Sequence, residues 1–175
     1  LVLAGYFWYG DPTTREPLIG LAVTFLLSVG FASIAGVVNS LAQPFFQLFG
    51  VVGVALFYFL IVGPIEETVK WLAVRVYAYR TDAFRTVVDG VVYGAMAGVG
   101  FAAIENLLYI LMFSVQMTTA GFAVQQQQAI AIATQRAFVG PGHVIFSAWA
   151  GFYLGLAKFN QSKRGPIVVK GLLIA

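Results

Sequence analysis

Residues 18–38 run for 21 positions without a charged side chain, and every one of them is apolar or small. About 20 such residues cross the hydrocarbon core of a bilayer as an α-helix. Residues 45–65 form a second charge-free run. Residues 91–103 continue through Glu105 to position 113, and residues 137–157 make a further span. Strand-like alternation over ten-residue segments is absent, which speaks against a transmembrane β-barrel. Composition agrees: 60% of the 175 residues are apolar and 10% are charged, against roughly 25% charged in a soluble domain. The chain has too little polar material to coat a soluble fold. The expectation is an all-α, polytopic transmembrane helical bundle, one membrane domain over residues 1–175 with no internal repeat. Its setting is the cell membrane, multi-pass, with the lipid bilayer as its solvent.

Both ends are apolar, residues 1–9 and the stretch from about 166 to 175. They read as interrupted spans and not as a signal peptide, because neither a basic n-region nor a cleavage site is visible. The sequence contains no cysteine, which removes disulfides, thiolate metal ligands and cysteine nucleophiles. A net charge of +3 is a property of the loops of a membrane protein and gives no nucleic-acid signal.

Those loops set an orientation. Arg75, Arg80 and Arg85 cluster around one loop, opposed by Asp82; Lys158, Lys163 and Arg164 cluster in another. Both are expected on the cytoplasmic side. The loop at residues 11–16 and the connection at residues 114–135 carry no excess of positive charge and are expected outside. Gly63-Pro64 should then divide the second run into a rising piece, about 45–62, and a short returning piece, about 64–79, which fits a re-entrant or tilted segment. Residues 125–128, all glutamine, read as a solvated or interfacial helix.

Ionisable side chains at membrane depth cost about 2.5–3.5 kcal/mol each on insertion scales and mark function. Here they are Glu66, Glu67, Lys70, Glu105 and His143. At 1.5 Å per residue, Glu66 stands roughly 20 Å above Tyr79, Glu105 about 27 Å above Val87 and His143 about 22 Å above Lys158. Three helices thus bring a carboxylate or an imidazole to one level in the outer half of the bilayer. Gly90, Gly94 and Gly98 form a small-residue ladder on the face of Glu105; Ser147, Gly151 and Gly155 form another below His143. Such ladders let two helices approach closely, so the two helices should pack with Glu105 and His143 at the top of the contact.

Taken singly, each group has a structural explanation. Glu66 and Lys70 are spaced i,i+4 and would neutralise each other. A lone His143 would be a helix-to-helix hydrogen bond, and Glu105 with Asn106 a clamp. That pairing leaves Glu67 unexplained, and adjacent carboxylates in a low dielectric resist double ionisation. Asp89 beside Arg85 reads as a structural ion pair. Tyr93, Tyr109 and Trp149 read as packing or interfacial residues.

Three motifs carry a resemblance. Glu66-Glu67-Thr68-Val69-Lys70 reads EExxxK, Phe101 to Asn106 reads FxxxEN, and His143 with Ser147 reads HxxxS. In that order and that apolar setting, the chain resembles the PrsW family of intramembrane proteases, part of the wider group with the CAAX prenyl-endopeptidases and bacteriocin-immunity proteins. Asp89-Gly90 with Tyr93-Gly94, and Gly140-Pro141-Gly142-His143, are similar too. The CAAX branch has a histidine where this chain has Glu105, so its prenyl-protein substrates are not carried over. The resemblance implies cleavage of a membrane-anchored protein, such as an anti-sigma factor, near the outer membrane surface.

Peptide hydrolysis needs an activated water, a stabilised oxyanion and a proton for the leaving amine. Ser147 lies one turn from His143 without an acid to complete a triad, so a carboxylate base is the natural candidate. Glu66 or Glu67 takes that role, with Lys70 holding one of the pair ionised. Glu105 is the second carboxylate, and His143 and Asn106 can stabilise the oxyanion or donate a proton. The metal alternative places zinc on Glu66 or Glu67, Glu105 and His143. Catalytic zinc usually takes more imidazole than the one histidine here supplies, so the scheme without a cofactor is favoured. Outside hydrolysis, buried acids and glycine ladders also build ion pathways, and an inert membrane scaffold with a polar pocket is the third reading.

Overall fold

A computed structural model describes residues 2–10, 16–116 and 122–175, and the described residues are helices joined by short turns, with no strand. In chain order the helices are α1 (Val2–Tyr9), α2 (Leu18–Gln47), α3 (Gly50–Phe57), α4 (Gly63–Val76), α5 (Val87–Gln116), α6 (Phe122–Phe159) and α7 (Arg164–Ile174). Among the described residues, three helical stretches are long and apolar enough to cross a membrane: Leu18–Gln47, Gly50–Arg80 and Val87–Phe113. The chain is a transmembrane helical bundle. α6 spans 38 residues, about 57 Å at helical rise, and runs antiparallel along α5 in the most extensive helix contact of the bundle.

The glycine ladders make that contact. A Cβ on Gly90 would lie 2.2 Å from the carbonyl oxygen of Gly151, one on Gly94 2.2 Å from that of Ser147, and one on Gly98 2.5 Å from that of His143. No side chain fits at these three crossings, so the two backbones touch, as the ladder argument required.

The second apolar run folds differently from expectation. Gly63-Pro64 does not reverse the chain. A π-helical turn, Tyr58–Val62, joins α3 to α4 and the helix continues. Proline lacks an N–H and its ring crowds the carbonyl four residues back; the wider π turn accommodates both within a continuous helical stretch. The reversal comes earlier, at Gly50, whose φ of +58° is the left-handed conformation that glycine tolerates. A Cβ at Gly53 would lie 1.8 Å from the carbonyl oxygen of Phe46, so the α2–α3 corner closes tightly at a second glycine.

Moving the corner changes the topology. α2 and α5 run parallel: Gly20 meets the Tyr93 ring, and Ser28 Oγ donates to the Ala97 carbonyl at 2.7 Å. Leu21 packs with Tyr79, Phe84, Tyr93 and Leu154. Glu16 therefore lies at the same end as the Arg75–Arg85 loop and not at the opposite end, where the absence of excess positive charge in the 11–16 loop would put it. Residues 11–15 lie outside the described ones.

The two basic clusters share that end. Lys158 Nζ donates to the carbonyls of Tyr79 and Phe84, each at 2.8 Å. Asp89 is fully buried, and it pairs with backbone and not with the Arg85 guanidinium. Its carboxylate accepts the N–H groups of Arg85 and Thr86, while its own N–H donates to Thr86 Oγ1 at 3.2 Å. That reciprocal arrangement is a capping box at the start of α5. At the other end, the expected connection over 114–135 is mostly helix. α5 extends to Gln116 and α6 begins at Phe122, leaving residues 117–121 outside the described ones. Glutamine is a good helix former, and residues 126–128 are exposed on α6; the side chain at 125 lies outside the described ones.

Candidate active site

Each polar group reaches the site from a helix held by the packing above. α4 contributes Glu66, Glu67 and Lys70; α5 contributes Glu105 and Asn106; α6 contributes Arg136, His143 and Ser147. Lys70 is 1% exposed. An ammonium this deep needs acceptors, and it has two. Its Nζ donates to Glu67 Oε1 at 2.5 Å and to His143 Nδ1 at 2.9 Å. It also lies 4.5 Å from the centroid of the Phe101 ring, which stands 5.2 Å from the imidazole of His143. The second oxygen of Glu67 accepts from Ser147 Oγ at 3.2 Å.

This network assigns the His143 tautomer. An ammonium can only donate, so Nδ1 accepts and the proton sits on Nε2. Nε2 faces Glu105 Oε2 at 2.7 Å. The same carboxylate oxygen accepts from Arg136 Nη2 at 2.5 Å, while Arg136 Nε donates to Asn106 Oδ1 at 2.6 Å. The guanidinium carbon lies 4.5 Å from the Tyr109 ring centroid.

Glu66 stands apart. Among the described residues, no lysine or arginine lies within ion-pairing distance of it, and His143 Nδ1 stands 3.8 Å from its Oε2. The i,i+4 pairing of Glu66 with Lys70 is not formed; Lys70 takes Glu67, at i,i+3. Glu66 instead lines a cavity of about 120 Å³ together with Glu105, Asn39 of α2, and the apolar side chains of Phe101, Ile104 and Leu108. That volume holds several waters.

The structure brings Glu66, Glu67, Lys70, Glu105, His143 and Ser147 into one cluster. Asn106 is tied to it through Arg136, but its side chain lines a different cleft, of about 380 Å³, with Gly140, Pro141 and Val144. Neither Asn106 nor His143 is among the residues lining the cavity of Glu66 and Glu105, but His143 hydrogen-bonds the Glu105 wall directly. Two residues escaped sequence reasoning. Arg136 falls between the connection read over 114–135 and the span read over 137–157. The ladder register would have found it: Gly98 faces His143, and seven residues further along each helix Glu105 faces Arg136. Asn39 is uncharged and passed unnoticed in a search for ionisable groups.

The donor set can be tested against a metal. A zinc ion needs a lone pair on the imidazole, and both ring nitrogens of His143 are engaged, Nδ1 by an ammonium and Nε2 as a donor to Glu105. The 2.7 Å between Nε2 and Glu105 Oε2 is a hydrogen-bond distance. Two ligands of one tetrahedral zinc at about 2.0–2.1 Å stand further apart than that. Lys70 adds a positive charge where the metal would bring two more. Among the described residues no group of three or more His, Cys, Asp or Glu is arranged to hold a metal ion. As arranged, these residues do not fit a metal.

A family model described as "PrsW family intramembrane metalloprotease" matches residues 16–175. The chain is 30% identical over 178 residues to "Protease PrsW" of Clostridioides difficile (strain 630), covering 99% of this chain and 70% of that protein. It is 32% identical over 166 residues to the protein of that name from Geobacillus kaustophilus (strain HTA426), covering 94% and 65%. For Bacillus subtilis (strain 168) the identity is 30% over 168 residues, covering 93% and 67%. The chain thus spans about two thirds of the length of these curated relatives. No solved structure matches it.

Proposed function

The chain belongs to the PrsW family of intramembrane proteases, and from that premise we propose that it is a glutamate-dependent endopeptidase of the cell membrane. It cleaves a membrane-anchored protein, of which an anti-sigma factor is one candidate, near the membrane surface opposite the basic loops. The observation that carries this reading is the division of labour between neighbouring carboxylates. Glu67 is committed to Lys70 and Ser147, while Glu66 faces a cavity able to hold water, across from Glu105.

In this reading Glu66 takes a proton from a water in the cavity as its oxygen adds to the scissile carbonyl carbon. Glu105 forms the other wall, its Oε2 held by Arg136 and His143. The Nε2–H of His143, polarised by Lys70 on the opposite nitrogen, shifts from Glu105 Oε2 to donate to the developing oxyanion as the substrate carbonyl enters. Collapse of the tetrahedral intermediate breaks the C–N bond, and Glu66 returns its proton to the leaving amine. Glu67, Ser147 and Lys70 hold the imidazole in place, and Arg136 holds Glu105.

Purified protein reconstituted with single-span membrane proteins tests the proposal. Cleavage by the wild type is expected. Substrates left intact across a panel of such proteins favour an inert scaffold or a transporter built on the same helices.

A further inference from the structure

Asn39 is the polar wall of the Glu66–Glu105 cavity that the hydrolytic scheme leaves without a task. It projects from α2, a helix with no charged residue along its 30 positions. Its side chain borders the same cavity as the two carboxylates. Its Oδ1 is buried and accepts no hydrogen bond among the described residues. An amide oxygen in that state is destabilising unless something donates to it, and leucine, of nearly the same shape, would carry no such cost. An acceptor kept beside two carboxylates is suited to a group with hydrogens to give.

We propose that Asn39 is a further catalytic residue, whose Oδ1 accepts one hydrogen of the nucleophilic water while Glu66 accepts the other. This rests on the hydrolytic reading of the site and completes its geometry. A water held by one base alone can rotate about that hydrogen bond. Held by two acceptors on different helices, α2 and α4, it has both hydrogens fixed and a lone pair aimed away from both walls. Glu66 takes the first hydrogen as a proton when the oxygen adds to the carbonyl carbon; the second stays on the oxygen and on Asn39 Oδ1 through the tetrahedral intermediate. The bond that breaks is the scissile C–N bond, and the proton on Glu66 leaves with the amine, so Asn39 neither gains nor loses a proton. Its contribution is orientation, the kind of effect that acts on kcat.

The test uses Asn39→Leu and Asn39→Ser in protein co-reconstituted with a single-span substrate carrying a fluorophore on its extramembrane end. Asn39→Leu should lower kcat at least tenfold with KM within twofold, and leave the melting temperature unchanged or raised, since it removes a buried unpaired oxygen. Asn39→Ser, which keeps an oxygen acceptor, should recover part of the loss. A merely structural asparagine would lower melting temperature and activity together and show no such recovery. An Asn39→Leu protein that cleaves at the wild-type rate, or that loses activity only in step with stability, overturns the inference and leaves the protease reading standing. A wild type that cleaves nothing overturns that reading, and the inference falls with it.

Discussion

Lys70 Nζ lies 2.5 Å from Glu67 Oε1, three residues back, and leaves Glu66, four residues back, facing the cavity. Both spacings put a cation and a carboxylate on one helix face. Tertiary contacts break the tie, because Ser147 on α6 reaches Glu67 and completes its hydrogen bonding. Adjacent glutamates of the same motif thereby acquire different chemistry.

The two Glu→Gln variants should therefore fail differently. Glu66→Gln keeps size and hydrogen bonding but removes the base, so cleavage should fall by about 10²–10⁴-fold with an unchanged melting temperature. Glu67→Gln leaves the buried Lys70 ammonium without its counter-charge. Breaking a buried pair costs about 3–5 kcal/mol, so this variant should lose stability along with activity. Thermal unfolding in detergent beside a cleavage assay reads both. An active Glu66→Gln protein would reject Glu66 as the base.

Gly94 offers a test of how the site is held. A Cβ there would lie 2.2 Å from the Ser147 carbonyl oxygen, and that atom belongs to backbone that cannot swing away. Gly94→Ala should push α5 from α6, cost about 1–3 kcal/mol as overpacking does, and reduce cleavage by separating Glu105 from His143. Gly30→Ala is the control: nothing lies within 4 Å of the added carbon. Its melting temperature should match or exceed that of the wild type, because alanine is the better helix former. Equal stability of the two variants would contradict the close contact.

The site helices were legible because ionisable residues stand out in apolar sequence and because the glycine ladders point to their own partners. Gly98, Glu105 and His143 meet across α5 and α6 on the faces the ladder argument put together. The α2–α3 corner was not legible. Gly63-Pro64 is the stronger breaker by residue type, and nothing local announces that a π-helical turn absorbs it while Gly50 turns the chain. Arg136 was hidden for a related reason. Its meaning depends on α6 beginning well before the apolar run does, and polar residues 125–128 gave no sign of continuing a span. Asn39 shows the limit of screening for charge: an amide can sit in a span without disturbing its hydropathy, and its importance depends on what it faces.

The relocated corner yields a topology test. Asp82 and Gln161 should lie on one side of the membrane, cytoplasmic by the positive-inside rule, and Leu48, 79% exposed at the α2–α3 corner, on the other. Since the chain has no cysteine, single cysteines at these three positions report without background. A membrane-impermeant maleimide applied to intact cells should label Leu48→Cys alone. Labelling of Asp82→Cys from outside would invert the bundle, and labelling of only one of Asp82→Cys and Gln161→Cys would contradict the Lys158 tether that joins the two basic loops.

Metal dependence separates the two catalytic schemes most directly. The matching family model is described as a metalloprotease, whereas His143 here has one nitrogen on an ammonium and the other on Glu105. If that arrangement is the working one, a strong chelator should leave the cleavage rate of the reconstituted protein unchanged. Metal content measured on the same samples should not follow activity. A zinc enzyme would behave otherwise, because the ion supplies the Lewis acid that polarises the carbonyl and lowers the pKa of the bound water. Chelation would silence it and added zinc would restore it. Lys70 sharpens the comparison. Lys70→Met removes the cation that occupies His143 Nδ1. In the metal-free scheme this should abolish cleavage, since the imidazole loses its fixed tautomer and Glu67 its counter-charge. In a zinc enzyme, freeing that nitrogen and lifting the competing positive charge should tighten metal binding. Zinc that binds Lys70→Met more strongly than the wild type, with activity following occupancy in both, would replace the glutamate scheme with the metal one.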